Sequence, residues 1–242
     1  ILQSVLQKEY SGPLDVLTSR SIIWGGPLLI NSQKLIFERL MNSYIKYADQ
    51  KALYTQVRNL ESVANYSNYF KSVGFKSEPH LNYILNLKSG EDSIWKSMNK
   101  KRRNSIKKAI SLGVEIKDVS DSKNISDSYK ILEEVYAKAR IPITDISLLK
   151  SAQRILFTNS NSKCFNAFLN QKVIGTAWIL VYKNRVYDWF SGSKNDFLRN
   201  NPNDLLIWSV IKWAVKNNYE IFDFGGAGKP DEKYGVREFK KK

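Results

Sequence analysis

A guanidinium in the middle of an apolar helix face is the first feature of this sequence that asks for a chemical explanation. On a 100° wheel over Ser93 to Leu112, the residues Trp95, Met98, Ile106 and Ala109 share one face, and Arg102 lies within it. An unpaired buried charge is costly, so this side chain must clamp a ligand phosphate or carboxylate, meet an internal carboxylate, or reach past its neighbours to water. Arg103 borders the same face, while Lys100, Lys101, Lys107 and Lys108 point away as either a solvated surface or a track for a polyanion. Further along, Tyr187, Trp189 and Ser191 alternate with Asp188 and Phe190, which sends one set to the core and the other outward or toward a cleft. Asp223 stands between Phe222 and Phe224, immediately before Gly225-Gly226. A carboxylate there either caps the glycine amides or accepts a proton with a raised pKa.

Other chemistries are closed off by what the chain lacks. One cysteine, Cys164, cannot form an internal disulfide, and with one histidine, His80, there is no Cys/His cluster for zinc. A Ser-His-Asp or Cys-His relay would have to be built on His80, which sits beside Pro79 in a loop entering a strand. A formal net charge of +15 implies anionic partners, whether nucleic acid, a phosphorylated substrate or the inner face of a membrane. No run of eighteen apolar residues is present, and the lone thiol favours a reducing setting, so the expectation is a cytoplasmic protein with peripheral contact to the membrane.

The elements that must position these residues repeat. Strands at Ile1 to Lys8 and Leu17 to Trp24 precede a helix over Ser32 to Asp49, whose face is Ile36, Leu40, Tyr44 and Tyr47, and Ala52 to Arg58 returns to strand. The same order recurs as strand Val173 to Tyr182, strand Arg185 to Phe190, a break at Ser191-Gly192-Ser193, helix Asp204 to Lys216 and strand Glu220 to Phe224. Between the copies lie a helix at Ser62 to Ser72, a strand at Leu81 to Leu87, the basic helix Ser93 to Leu112, and a strand at Val114 to Val119. Helices at Ile125 to Lys138 and Ile146 to Phe157 and a strand at Cys164 to Leu169 complete the set. Two copies of one unit imply tandem α/β (α+β) subdomains over 1–90 and 91–242, the first truncated at its N-terminus.

The runs SRSIIWGGPLL at Ser19 to Leu29, MNKKRRNSIKKAISLGVEI at Met98 to Ile116, YDWFSGS at Tyr187 to Ser193 and FDFGGAG…YGVREFKKK at Phe222 to Lys242 resemble the FemABX family. The resemblance implies two GNAT-like acyltransferase subdomains, the second short of C-terminal strands that family members carry, and transfer of an amino acid from aminoacyl-tRNA to an amine of a peptidoglycan or cell-envelope precursor. Relatives that use acyl-CoA or an acyl carrier imply the alternative of N-acylation of a sugar nucleotide or polysaccharide; a non-catalytic binder of nucleic acid or another anion is the third alternative. No tightly bound cofactor is implied; aminoacyl-tRNA or acyl-CoA serves as donor co-substrate, and a phosphorylated envelope precursor and tRNA are the partners. Tyr234, Gly235, Phe239 and Lys240 match the family signature whose lysine steadies the oxyanion, which makes Lys240, with Asp223, the catalytic candidate. Arg102, Arg103, Lys107, Arg140, Tyr187, Trp189, Ser191 and Tyr234 are the substrate-binding candidates. The sequence departs from ordinary GNAT enzymes at Asn200-Asn201-Pro202-Asn203-Asp204, which stands where they carry a glycine-rich pyrophosphate loop.

Overall fold

The computed structural model describes residues 1–8, 12, 15–29, 33–59, 66–119, 122–157, 160–231 and 240. It divides into two compact units, residues 1–78 and 79–242. The boundary falls short of 90 because the strand following it, β4, hydrogen-bonds into the second unit's sheet.

In the first unit β1 (Ser4–Lys8) pairs antiparallel with β2 (Ser19–Trp24), and α1 (Lys34–Ala48) then carries the chain over to β3 (Tyr54–Arg58), which pairs parallel with β2. A parallel partner cannot be reached by a tight turn, so the intervening helix is a topological necessity. The face that α1 buries is Phe37, Met41, Tyr44 and Ala48, with Ile23 beneath it and the ring of Phe70 from α2 (Ser67–Ser72) edge-on to Phe37 at 4.9 Å. This corrects the expected stripe, since Ile36 and Tyr47 are 47% and 57% exposed. Two helical stripes one residue apart are both apolar in this segment and share Tyr44, and only the sheet decides between them.

The second unit is a six-stranded sheet in the order β4-β9-β8-β7-β6-β5. The strands are β4 (Asn82–Asn86), β5 (Glu115–Val119), β6 (Ser162–Leu169), β7 (Lys172–Tyr182), β8 (Arg185–Ser193) and β9 (Ile221–Gly226). One face packs α5 (Ser122–Ala139) and α6 (Ile146–Ala152) against Cys164, Trp178 and Phe190; the other packs α4 (Lys100–Ser111) and α7 (Pro202–Lys216) against Phe165, Ala177, Ile179 and Val186. Covered on both faces, β7 is apolar almost throughout. Pro202 at the first turn of α7 suits a position whose N–H has no intrahelical partner. The segment β7-β8-α7-β9 has the topology of β1-β2-α1-β3: an antiparallel pair, a helix, then a strand parallel to the second. The repeat expected from sequence is a repeat of topology.

Two expected elements come out differently. The basic helix is two helices, α3 (Glu91–Ser97) and α4, because Met98 is extended and the Asn99 side chain caps α4 by accepting from the Lys101 amide at 2.8 Å. The expected break at Ser191 to Ser193 is absent: β8 runs to Ser193, paired with β7 throughout. Gly192 is in place because α5 lies close above it, where a Cβ would come within 2.9 Å of Val135 Cγ2.

Candidate active site where β8 and β9 part

β8 and β9 lie parallel but pair over only three residues each, Arg185 to Tyr187 with Ile221 to Asp223. Beyond that point β8 follows β7 and β9 follows β4, so the sheet opens between them. Both strands carry a bulge at the parting. On β8, Asp188 pairs with Ile179 and Phe190 with Trp178, so Trp189 is extra. On β9, Asp223 pairs with Ile84 but Gly226 with Asn82, so one residue of Phe224-Gly225 is extra, and Gly225 supplies the left-handed backbone at φ +68°.

The bulge at Trp189 overturns the alternation expected for this strand. Residues three apart in a regular strand point to opposite faces, yet the Ser191 hydroxyl donates to Asp188 Oδ2 at 3.1 Å. Trp189 and Phe190, neighbours in sequence, both pack against the cluster under α5 and α6, with ring centroids 4.8 Å apart. Tyr187 instead turns to β9, where its hydroxyl lies 3.2 Å from the place a Cβ on Gly225 would occupy.

The second bulge leaves backbone groups out of the ladder, and side chains collect them. Asp223, 1% exposed, accepts at Oδ1 from the Gly225 amide at 2.8 Å and from Asn82 Nδ2 at 2.9 Å, while Oδ2 stands 3.6 Å from the Arg185 guanidinium. Of the two roles open to it, the capping geometry is present. The Lys240 ammonium donates to the carbonyls of Phe224 and of Gly226, the latter at 2.8 Å. Among the described residues two of its three N–H bonds are so used, which leaves one for a further acceptor. Burial pulls the Lys240 pKa down, against the attraction of Asp188 and Asp223. Asp188 is pushed up to about 6, chiefly by burial and slightly by Asp223, against Lys240 and the Ser191 hydrogen bond. Its Oδ1 is closed to solvent and has no hydrogen-bond partner among the described residues.

The parting of the strands thus brings together Tyr187, Ser191, Asp223 and Lys240 from the sequence candidates, and adds Asp188, Arg185 and Asn82. Asp188 had one visible signal: a carboxylate set between Tyr187 and the Trp189-Phe190 pair. The other candidates lie elsewhere. Arg102 is on the buried face of α4, as its wheel position predicts, and donates at 2.7 Å to Asp204 in the first turn of α7. Arg103 gives Nη1 to the carbonyls of Trp95, Lys96 and Met98 at 2.5–3.3 Å, closing the C-terminal end of α3. Lys107 is exposed on α4, and Arg140 is exposed in a left-handed turn after α5. Tyr234, Gly235 and Phe239 lie outside the described residues. Lys100, Lys101, Asn104 and Lys108 line an open groove of about 590 Å³ on the outer side of α4, reaching Asn201 but none of the residues at the parting. Among the described residues no cluster of His, Cys, Asp or Glu could hold a metal ion, and no helix is long and apolar enough to cross a membrane.

The sheet is thus open between two parallel strands, with a cation at the opening. The family model described as an acetyltransferase (GNAT) domain matches residues 96–241, and the FemAB family model matches residues 28–152. The chain belongs to the FemAB family of GNAT-type proteins and is an acyl/aminoacyltransferase. Its structure is similar to the crystal structure of FemX, with a TM-score of 0.65 at 14% identity over 92% of this chain and 77% of that one. It is also similar to the C-terminal (DUF2156) domain of a putative lysylphosphatidylglycerol synthetase from Agrobacterium fabrum, at 0.58 and 14% over 94% and 69%. The L-PGS structure from Bacillus licheniformis follows, at 0.59 and 12% over 94% and 66%. At these identities the likeness is one of fold, a tandem of GNAT-like units. No curated protein matches the chain.

Proposed function

We propose that the chain moves an aminoacyl group from aminoacyl-tRNA onto an amine of a cell-envelope precursor, with Lys240 steadying the oxyanion of the transfer. The observation that carries this reading is the Lys240 ammonium, held between the carbonyls of Phe224 and Gly226 at the parting of β8 and β9 with one N–H uncommitted among the described residues. When an amine attacks an ester carbonyl, negative charge develops on the carbonyl oxygen, and a preorganised N–H in a sheltered site is worth most at that moment. The reading uses no covalent nucleophile: among the described residues the Ser191 hydroxyl at the parting is committed to Asp188, and Cys164 lies buried away from it under α5, its thiol pushed up to about 12 by burial. Catalysis then rests on holding two substrates together and on charge stabilisation.

The identity of the donor draws on the lysines. Lys100, Lys101, Lys107 and Lys108 are exposed on α4 with no carboxylate partner among the described residues, and three of them line the groove, which suits a phosphodiester backbone. The family and the two synthetase-related structures favour an envelope acceptor. A second donor, acyl-CoA, is favoured by the acetyltransferase match over the unit that bears the site.

The test is incubation of the full chain with an amine-bearing envelope precursor and either charged tRNA or acetyl-CoA, with product followed by mass spectrometry. The proposal expects an aminoacylated product that Lys240→Ala reduces about 10²–10³-fold while folding is retained. Product from acetyl-CoA alone would exchange the donor, and product undiminished by Lys240→Ala would sink the role given to the lysine.

A further inference from the structure

We infer that Asp188 is the group that takes the proton shed by the acceptor amine during transfer. The inference rests on the transferase reading and adds a residue to it. Asp188 occupies the first position on β8 past its last residue paired with β9. The bulge at Trp189 then places Asp188 and Ser191 on one face, and the Ser191 hydroxyl fixes the carboxylate through Oδ2. Oδ1 has a lone pair with nothing to meet among the described residues and no water to reach. A buried carboxylate oxygen left idle is costly, and such a cost persists where the group has a task that the resting structure does not show.

The charged groups that face it are Lys240 and, from β9, Asp223. Asp223 is engaged otherwise: its Oδ1 already holds the Gly225 amide and Asn82, and its Oδ2, which likewise lacks a hydrogen bond, stands 3.6 Å from the Arg185 guanidinium, an ion pair that Asp188 Oδ1 does not have among the described residues. The division of labour is then one cation for the oxyanion and one carboxylate for the proton, side by side.

The step balances without any further reactant. The acceptor nitrogen forms its bond to the donor's carbonyl carbon, and the carbonyl electron pair moves to oxygen opposite Lys240. The nitrogen gives its surplus proton to Asp188 Oδ1. The carbonyl re-forms as the bond to the leaving oxygen of the ester (sulfur, for a thioester) breaks, and Asp188 returns the proton to that leaving atom. Nothing is oxidised or reduced. A base must be ionised to act and sufficiently basic to matter, and burial has brought this carboxyl to about 6, close to neutral working conditions.

The experiment is the pH dependence of kcat/KM between pH 5 and 9 for wild type, Asp188→Asn and Ser191→Ala, with the donor that gives product, together with ¹³C NMR titration of the carboxyl groups in the full chain. The inference expects a wild-type rate rising through about pH 6, a loss of about 10²–10⁴-fold in Asp188→Asn with that acidic limb gone, and a carboxyl signal titrating near 6 that the same variant deletes. In Ser191→Ala the limb moves to higher pH, because the hydrogen bond that favours the ionised form is lost. A carboxylate that merely supported the Lys240 charge would change the alkaline limb and leave the acidic one, and that result overturns the inference. So does a retained acidic limb in Asp188→Asn, or no carboxyl signal near 6. A wild-type chain that yields no product from either donor overturns the transferase reading, and the inference with it.

Discussion

Neutralising Asp188 should make the protein more stable while making it a poorer enzyme, and the structure sets the size and pH dependence of the gain. The carboxyl binds its proton at about 6 in the folded chain and at 3.8 when free. A raised carboxyl pKa means that the folded state holds the proton more tightly, so stability is full below 3.8 and falls as pH rises toward about 6. The gap corresponds to about 3 kcal/mol, at 1.36 kcal/mol per pKa unit. That figure already includes the attraction of Lys240 and the Ser191 hydrogen bond, because both contribute to the value of about 6. Asparagine has no charge to desolvate, but its amide group needs a partner of its own, so the gain for Asp188→Asn at pH 8 comes to about 1–3 kcal/mol. Urea unfolding of both proteins at half-unit steps from pH 4 to 8 gives the difference directly. It should be near zero or negative at pH 4 and grow between pH 4 and 6.5. A pH-independent difference, or a wild type more stable at pH 8, would refute the account of Asp188 as a strained, sheltered carboxylate.

Three further substitutions test the surrounding architecture. Arg102→Ala leaves Asp204, 11% exposed, without its ion-pair partner and should cost about 1–3 kcal/mol; in a double-mutant cycle with Asp204→Asn the two losses should fall short of adding, as urea midpoints would show. Gly192→Ala drives a methyl into Val135 and should lower stability by about 1–3 kcal/mol, part of which Val135→Ala restores in a thermal melt. Cys164, fully buried with its thiol pushed up to about 12, should resist iodoacetamide at pH 8 in the native protein and react once urea unfolds it, with mass spectrometry as the readout.

What the sequence made legible was whatever periodicity controls within a single element. The face of α7 shows it: Leu206, Val210 and Ala214 recur at one helical spacing and are all fully buried. Arg102 could be placed on the buried side of α4 by the same means, and its partner Asp204 could not, because 102 residues separate them. The break between α3 and α4 was hidden because Ile94 and Ile106 face the same cluster, so the apolar period runs through the interruption; Asn99 before the basic run was the available cue. On α1 the period was correct and the phase wrong by one residue, since Phe37 and Met41 compete with Ile36 and Leu40 and only β2 chooses between them.

The site was less legible than the fold because it depends on a difference between the two copies that register alone creates. In the first unit β2 and β3 pair along five residues, Arg20 to Trp24 with Tyr54 to Arg58. In the second unit the equivalent strands separate after three, although β8 is nine residues long and β9 six. Each bulge is defined only by its partner strand: Trp189 is extra relative to Trp178 and Ile179, and the residue at Phe224-Gly225 relative to Asn82 and Ile84, some 140 positions away. A pattern of period two read along Tyr187 to Ser191 therefore paired the wrong residues, grouping Tyr187 with Ser191 where the structure groups Asp188 with Ser191. The same slips release the carbonyls that hold Lys240 and leave the sheltered Asp188 oxygen without a hydrogen bond among the described residues, so the departures from regular strand geometry are what assemble the candidate chemistry. Removing the left-handed glycine at 225 should accordingly disturb Lys240 and Tyr187 together, because one strand irregularity supports both.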